Sequence, residues 1–398
     1  MKTAGIVCEY NPFHRGHEYH IAETKRRLGD DCGIVCAMSG NFVQRGDAAI
    51  FPKHARAEAA VRCGADLVIE LPLFWAMAPA EKFASGAVAL LAATGVVTHI
   101  SFGSESADLP LLESVADALL SGRAEEKLRE ELKTGVSFAQ ARERAVEDAL
   151  GALGQVMKSP NDILAVEYLK AIKRYQVDII HMAIKREGAE HDGIGDGKFL
   201  SASAIRRGLL RGEYALKAVP EAAAEIFERE IKCGRMVDIR KIDSAALYRL
   251  RTMKKADFEA LPDNSEGLHN RIMRAASLSA SIGDVVDMAK SKRYPAARIR
   301  RMVMSAYLGV TREDGKDLPE YISVLAMNER GMELLAEMKN KASLPVITKP
   351  ASARELCGSA AAAYEKCAVA DDIYALAFTV EEQRVGGQTW RKSPVIVK

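Results

Sequence analysis

The sequence predicts a chain of two parts, an α/β domain on a parallel sheet over residues 1–208 and a mainly helical domain over 209–398. Three observations lead there. With 398 residues, 48% of them apolar, the chain exceeds the roughly 250 residues at which a single core usually stops growing. Through roughly the first 200 residues, short apolar runs that end in polar or glycine-containing turns alternate with longer helical patterns, the mark of parallel strands joined by crossover helices. After Gly208 the strand-like runs give way to Ala- and Leu-rich segments of helical periodicity.

The expected strands are Ala4–Cys8, Gly33–Met38, Asp66–Glu70, Val97–Phe102 and Asp178–Ala183. Between the last two, Pro110–Leu150 carries apolar residues at helical spacing with almost no turn residues, and reads as helix. The second part reads as helix through Tyr307, broken at Pro220, Pro262 and Pro295, where an amide donor is missing. The tail from Leu344 holds strand-type residues at Leu344–Thr348 and Ser393–Val397, to which the sequence assigns no place in the fold.

The 56 basic and 54 acidic side chains leave a net charge of +2, so a nucleic-acid surface must be a local patch. Seven scattered cysteines, Cys8, Cys32, Cys36, Cys63, Cys233, Cys357 and Cys367, read as reduced thiols and not as a disulfide framework. Cys32 and Cys36 lie in an apolar strand with no second pair to complete a zinc site, and no metal ligands are assigned. The start lacks a signal-peptide pattern and no run approaches the roughly 18 apolar residues of a membrane span, so the expectation is a cytoplasmic protein.

The sharpest local feature is Val7-Cys8-Glu9-Tyr10-Asn11-Pro12-Phe13-His14-Arg15-Gly16-His17-Glu18-Tyr19-His20, a strand that breaks at Asn-Pro and enters a helix. In an open parallel sheet, the carboxyl end of the first strand and the following helix N-terminus form the usual ligand crevice. His14 and His17, three apart, can both donate to phosphate oxygens, and Gly16 leaves room for a nucleotide. Spacing alone leaves two surface histidines or a zinc pair as alternatives. A second feature, Phe199-Leu200-Ser201-Ala202-Ser203-Ala204-Ile205-Arg206-Arg207-Gly208, follows the glycine-rich Gly193-Ile194-Gly195-Asp196-Gly197. Ser203 reads as an N-cap and Arg206 as a first-turn fork for phosphate. The alternative is an ordinary capped helix.

Taken together, His14-Arg15-Gly16-His17 resembles the HxGH signature of nucleotidyltransferases and class I aminoacyl-tRNA synthetases, and Ser201–Arg206 resembles the second motif of the nucleotidyltransferases. The synthetases' lysine-bearing motif is absent, which leaves Arg206, with Arg207 beside it, to supply the charge. With Met38-Ser39-Gly40-Asn41-Phe42-Val43-Gln44-Arg45-Gly46, Phe102-Gly103-Ser104-Glu105 and Ser159-Pro160-Asn161-Asp162-Ile163-Leu164, the set is similar to the bacterial tRNA(Met) cytidine acetate ligase family.

That resemblance implies a Rossmann-like nucleotidyltransferase domain. It also implies an ATP-dependent ligase that activates acetate as acetyl-adenylate and transfers the acetyl group to the wobble cytidine of elongator tRNA(Met). ATP is then a substrate, with magnesium expected beside it. The catalytic candidates are His14, His17, Ser203 and Arg206, and the ATP contacts are Val7 through His20 with Gly103, Asn161 and Arg186. Unaided by the resemblance, Gly103 reads as a turn glycine, Asn161 as an N-cap and Arg186 as solvated. Asn41 and Arg45, in a loop after the second strand, are candidates for substrate contacts. Cys8 and Cys36 read as buried structural thiols because adenylate chemistry needs no thiol nucleophile.

For RNA the strongest patch is Lys290, Lys292, Arg293, Arg298, Arg300 and Arg301 around Tyr294, with Arg249, Arg251, Lys254 and Lys255, and Arg271 with Arg274, as further clusters. Each is also compatible with a solvated helix face. The competing readings are a small-molecule adenylyl- or cytidylyltransferase, which needs the same two motifs but no RNA, and a nucleotide-responsive RNA-binding protein without turnover. The oligomeric state is not legible.

Overall fold

The computed structural model describes residues 1–186 and 200–398; the glycine-rich Gly193–Gly197 and Phe199 lie outside the described residues. Among the described residues there are ten strands: β1 (Thr3–Cys8), β2 (Gly33–Ser39), β3 (Phe42–Val43), β4 (Asp47–Ala48), β5 (Leu67–Leu71), β6 (His99–Ser104), β7 (Ile180–Lys185), β8 (Ile322–Met327), β9 (Val346–Ile347) and β10 (Val395–Ile396). Eight form one sheet in the order β10-β8-β5-β2-β1-β6-β7, with β9 on β8, while β3 and β4 make a small hairpin. The five expected strands are all there, displaced by one or two residues, and they run parallel. Within that sheet, among the described residues, only the β5–β8 pairing is antiparallel.

Side chains alternate across a strand, so a sheet covered on both faces must be apolar at every position. β2 and β5 are buried throughout and apolar but for Ser39 and Glu70 at their ends, the latter paired with Lys53. Ala4, Ile6, Cys8, Ile34, Cys36 and Met38 face one core with Ile21 of helix Arg15–Leu28, Ala55 and Ala59 of helix Lys53–Arg62, and Ile205 and Leu209 of helix Ala202–Leu210. Val35, Ala37, Ile69, Ile100 and Phe102 face the other, with Val88 and Leu91 of helix Ala80–Ala93 and Leu169 of helix Pro160–Tyr175. Pro110–Leu150 is helical as expected, divided into Leu109–Leu120, Gly122–Lys133 and Phe138–Leu150 where Ser121 and Ser137 cap new N-termini.

Helices Asp243–Thr252, Leu268–Leu278, Ile282–Ala289 and Ala296–Leu308 pack together through Leu247, Ile272, Val286 and Val303. Their core is continuous with the second sheet core. The expected boundary at 208 therefore needs amending. β8, β9 and β10 return from the C-terminal part to the same sheet, where they cover the edge that β5 would otherwise leave open. Leu344–Thr348 and Ser393–Val397 thus belong to the α/β layer.

Where this return is tightest there is no room for a side chain. Gly331, in the first turn of helix Glu329–Lys341, lies so close to the Asp66 carbonyl oxygen that an added Cβ would collide with backbone. Gly331→Ala is expected to cost about 1–3 kcal/mol, seen as a lower urea midpoint at unchanged slope.

Candidate active site

β1 ends at Cys8, Tyr10 takes a left-handed conformation at φ +47, and a cis Asn11–Pro12 bond turns the chain into the helix that starts at Arg15. His14 is its N-cap. Its Nδ1 accepts from the Gly16 amide at 3.1 Å, and His17 Nδ1 accepts from the His14 amide at 3.2 Å, a capping box made of two histidines. The rings stack with centroids 3.7 Å apart. Because both δ nitrogens accept, the proton of each neutral ring sits on Nε2, leaving two parallel N–H donors at the mouth of the crevice.

The surroundings keep these rings neutral. Burial, then the positive charge of Arg186, lowers His14 to a pKa of about 4. The same two causes bring His20 to about 4. His17 is lowered by burial, then by His14 and Arg186. His20 Nε2 lies 2.9 Å from Ser101 Oγ, which is 2.7 Å from Thr24 Oγ1, and Thr24 donates to the His20 carbonyl at 2.8 Å. With the threonine proton committed, Ser101 donates to Thr24 and accepts from His20, which fixes that ring as well.

Arg206 approaches from helix Ala202–Leu210 and donates through Nη1 to the Asn11 carbonyl at 2.6 Å and through Nη2 to Ser203 Oγ at 3.2 Å. Burial depresses its pKa, against which Asp47 and Glu9 act. The expected N-cap role of Ser203 is corrected. Ser201 caps the helix by accepting from the Ala204 amide at 3.2 Å, because the helix begins at Ala202 and Ser203 lies within its first turn. The two sequence motifs, almost 200 residues apart, thus meet at Asn11.

The other expected contacts divide. Gly103 leaves space for Arg186, whose Cγ would stand 3.3 Å from a Cβ there, and Arg186 follows β7 with its amide bonded to the Ser104 carbonyl. Asn161 lies inside the first turn of helix Pro160–Tyr175, which Ser159 starts, and donates to Glu105 at 2.5 Å. Cys8, Tyr10 and Phe13 bury their side chains, so they offer the crevice backbone only. The thiol of Cys8 is pushed up by burial and Cys36 takes a contact from the Tyr10 hydroxyl at 3.4 Å, as structural thiols do. Arg15 is exposed at the helix start, and Glu18 sits in the first turn.

Asn41 does not present its amide as a substrate contact: Nδ2 donates to Asp371 and Oδ1 accepts from the Lys53 amide, both at 2.8 Å. Arg45 lies exposed between β3 and β4, close enough for its charge to act on Arg206. Sequence reasoning missed Arg56, Glu105, Asp162, Ser101 and Thr24. Of these only Glu105 and Asp162 stood within quoted motifs; the rest carried no local signal.

Much of the basic patch is paired within the chain. Lys290 pairs with Asp287, Arg293 with Glu266 and Arg301 with Asp263, while Arg298 donates to the Asp263 carbonyl and Ser265. Arg251 and Arg271 cap carbonyls at helix ends, Ala276 and Ser279 for one and Ala289 for the other, where cations are favoured. Among the described residues, exposed Lys292 and half-buried Arg300 have no ion pair.

A parallel sheet with a histidine-capped helix at the end of β1, joined by an arginine from a later helix, defines a nucleotidyltransferase. A family model described as HIGH nucleotidyl transferase matches residues 1–389. The chain belongs to the tRNA(Met) cytidine acetate ligase family. It is 40% identical over 390 residues to the tRNA(Met) cytidine acetate ligase of Caldanaerobacter subterraneus, covering 95% of this chain and 96% of that one. The relative of the same name from Acetivibrio thermocellus is 35% identical over 419 residues, with 100% of both covered. Among solved structures, apo Thermotoga maritima TmcAL superposes with a TM-score of 0.96 at 35% identity over the whole of both chains. The form of that protein bound with alpha-thio ATP gives 0.93 over 100% of this chain and 99% of that one.

In an unfolded chain these histidines would titrate near pH 6.5, whereas His14 and His20 do so at about 4. Between those values the unfolded chain binds more protons, so their contribution to stability is complete above pH 6.5 and is lost as the pH falls toward 4. NMR of the imidazole rings should show His14 and His20 neutral from about pH 8 to about pH 5. Arg186→Ala should raise both midpoints.

Proposed function

We propose that this chain is an ATP-dependent tRNA(Met) cytidine acetate ligase that acts through acetyl-adenylate. The observation that carries the reading is the convergence of the His14 and His17 Nε2–H donors with Arg206 at the carboxyl end of β1. A carboxylate oxygen of acetate attacks the α-phosphorus of ATP, the bond to the β-phosphate oxygen breaks, and pyrophosphate leaves. Acetate is already a nucleophile at neutral pH, so the chain has only to position the reactants and neutralise charge that grows on the phosphates. Neutral imidazole N–H groups, backbone amides at the helix N-terminus, Arg206 and Arg186 suit that task. In the second half, the exocyclic amine of the wobble cytidine of elongator tRNA(Met) attacks the acetyl carbonyl, loses a proton, and AMP leaves.

Magnesium would enter with the triphosphate. Among the described residues no group of three or more His, Cys, Asp or Glu is arranged to hold a metal, so phosphate oxygens and water would supply most of its ligands. Glu9 and Asp47, whose charges act on Arg206, are the carboxylates placed to supplement them. No helix among the described residues is long and apolar enough to cross a membrane.

Purified protein should release pyrophosphate from ATP when acetate is added, and bulk bacterial tRNA should convert the adenylate to acetylated cytidine. His17→Ala and Arg206→Ala are each expected to slow release about 100-fold or more. Release that does not depend on acetate would contradict the reading and point to another acid or a phosphate-bearing metabolite.

The RNA surface is read from Lys292 and Arg300, with exposed Lys290 and half-buried Arg293 beside them, around the start of helix Ala296–Leu308. Lys292→Glu with Arg300→Glu should weaken tRNA binding and reduce the salt slope of the binding constant by about 2, while leaving pyrophosphate release with acetate intact. Arg301→Ala, by contrast, strips half-buried Asp263 of its partner and should lower stability.

A further inference from the structure

On the ligase reading, the acetyl group leaves the crevice only when a cytidine base reaches it, so the RNA must cross the rim beside Arg206. Helix Ala202–Leu210 is part of that rim. Arg206 turns inward to the Asn11 carbonyl, whereas Arg207, the next residue, is exposed to solvent. It stands near enough for its charge to act on Arg206.

Two glycines set what stands beside Arg207. Gly212, at φ +74, reverses the chain after the helix, and the Glu213 amide then donates to the Gly208 carbonyl at 2.9 Å. The returning segment lies so close that a Cβ on Gly208 would stand 2.9 Å from Ala215 Cβ and 3.2 Å from a Glu213 carboxylate oxygen. Ala215 and Leu216 bury their side chains in the core that holds Ile205 and Leu209. Tyr214, between Glu213 and Ala215, is left outside that core and is 69% exposed.

Exposed Arg207, Arg211 and Lys217 flank it in the chain, with half-solvated Leu210 at the helix end. Among the described residues Arg207 and Lys217 have no ion pair, and Arg211 has only a loose one, 3.9 Å from Glu213. Three cations against one carboxylate surround an aromatic face. A single exposed tyrosine asks for no explanation. One set among cations, at the rim of a site that must admit RNA, has the chemistry that holds single strands, with bases stacked on the ring and phosphates on the charges. The helical basic surface adjoins the same crevice by another route. Gly46 packs so closely on the backbone of Arg300 and Arg301 that a Cβ would collide, and its neighbours Arg45 and Asp47 act on Arg206.

We propose that Tyr214, with Arg211 and Lys217, is the platform for unpaired nucleotides of the anticodon loop, which stack there as the wobble cytidine enters beside Arg206. The inference rests on the ligase reading above and names the part of the RNA held closest to the chemistry. The paired stem, whose bases are closed to stacking, is left to the phosphate contacts of Lys292 and Arg300.

The test is acetylation of elongator tRNA(Met) by the full chain, with pyrophosphate release from ATP and acetate measured separately in the absence of RNA. Tyr214→Ala is expected to raise the tRNA KM about 10-fold, the size of one lost stacking contact, and to leave RNA-free release within about twofold. Tyr214→Trp should bring the tRNA KM back to within about threefold, because stacking needs an aromatic face and not the hydroxyl. Lys217→Gln should lower the salt slope of the tRNA binding constant by about 1. An isolated anticodon stem–loop RNA should suffer the same loss with Tyr214→Ala as whole tRNA. A tRNA KM unchanged in Tyr214→Ala, no recovery in Tyr214→Trp, or a loss confined to whole tRNA would each overturn the proposal. So would RNA-free release that falls in parallel with acetylation, which marks a disturbed Arg206 and not a lost RNA contact. Wild-type protein that releases no pyrophosphate with acetate, or never acetylates tRNA, would count against the ligase reading itself, which separates the two failures.

Discussion

The guanidinium of Arg56 is the interaction on which the site depends. It is 0% exposed and donates to the carbonyls of Phe51, Glu9, Ser39 and Gly40. Parallel strands that stop in a buried crevice leave carbonyls without partners, and such orphans are costly. One planar fork satisfies the ends of β1 and β2 and the loop beyond them at once, and its charge is spread over several carbonyl dipoles. Burial still lowers its pKa, opposed by Tyr374, Cys8, Glu9 and Glu70. With Arg56 in place, Asn11 can hold both Ile50 and Arg206, and the two halves of the nucleotide crevice come into register.

On this frame the chemistry follows from which atoms are already committed. Each of His14 and His17 spends its δ nitrogen on a backbone amide, which both orders the helix N-terminus and dictates the tautomer. Desolvation and Arg186 keep the rings neutral, so they meet phosphate as hydrogen-bond donors whose strength does not vary with pH near 7. The permanent charge comes from Arg206 and Arg186. The division suits a reaction in which negative charge moves from the α-phosphate to a departing pyrophosphate without a proton transfer in that step.

Much of this was legible in the sequence, for physical reasons. Continuous apolar runs such as Gly33–Met38 can only be strands buried on both faces, and His14-Arg15-Gly16-His17 after such a strand can only stand at its carboxyl end. What escaped was whatever depends on distant partners. Arg56 sits in Lys-His-Ala-Arg-Ala-Glu, which looks like any solvated helix, and nothing local says that four carbonyls surround it. Asn41 lay in a loop where substrate contact is the natural expectation, yet its amide is taken by Asp371, 330 residues away. The arginines of the helical layer looked like an RNA surface because sequence counts charges, whereas Arg251, Arg271, Arg298 and Arg301 are spent on helix ends and Asp263. The short β9 and β10 were visible only as strand-type residues, since the strand they pair with, β8, joins the sheet only through β5, far earlier in the chain.

The central claim is that acetate itself attacks the α-phosphorus, and isotope transfer addresses it directly. With acetate carrying heavy oxygen in both carboxylate positions, the bridging oxygen of acetyl-adenylate comes from acetate and remains on AMP when the cytidine amine takes the acetyl group. Mass spectrometry of AMP formed in the presence of tRNA should therefore find one heavy oxygen per molecule, with none in pyrophosphate. Unlabelled AMP, or label recovered in pyrophosphate or inorganic phosphate, would contradict the account.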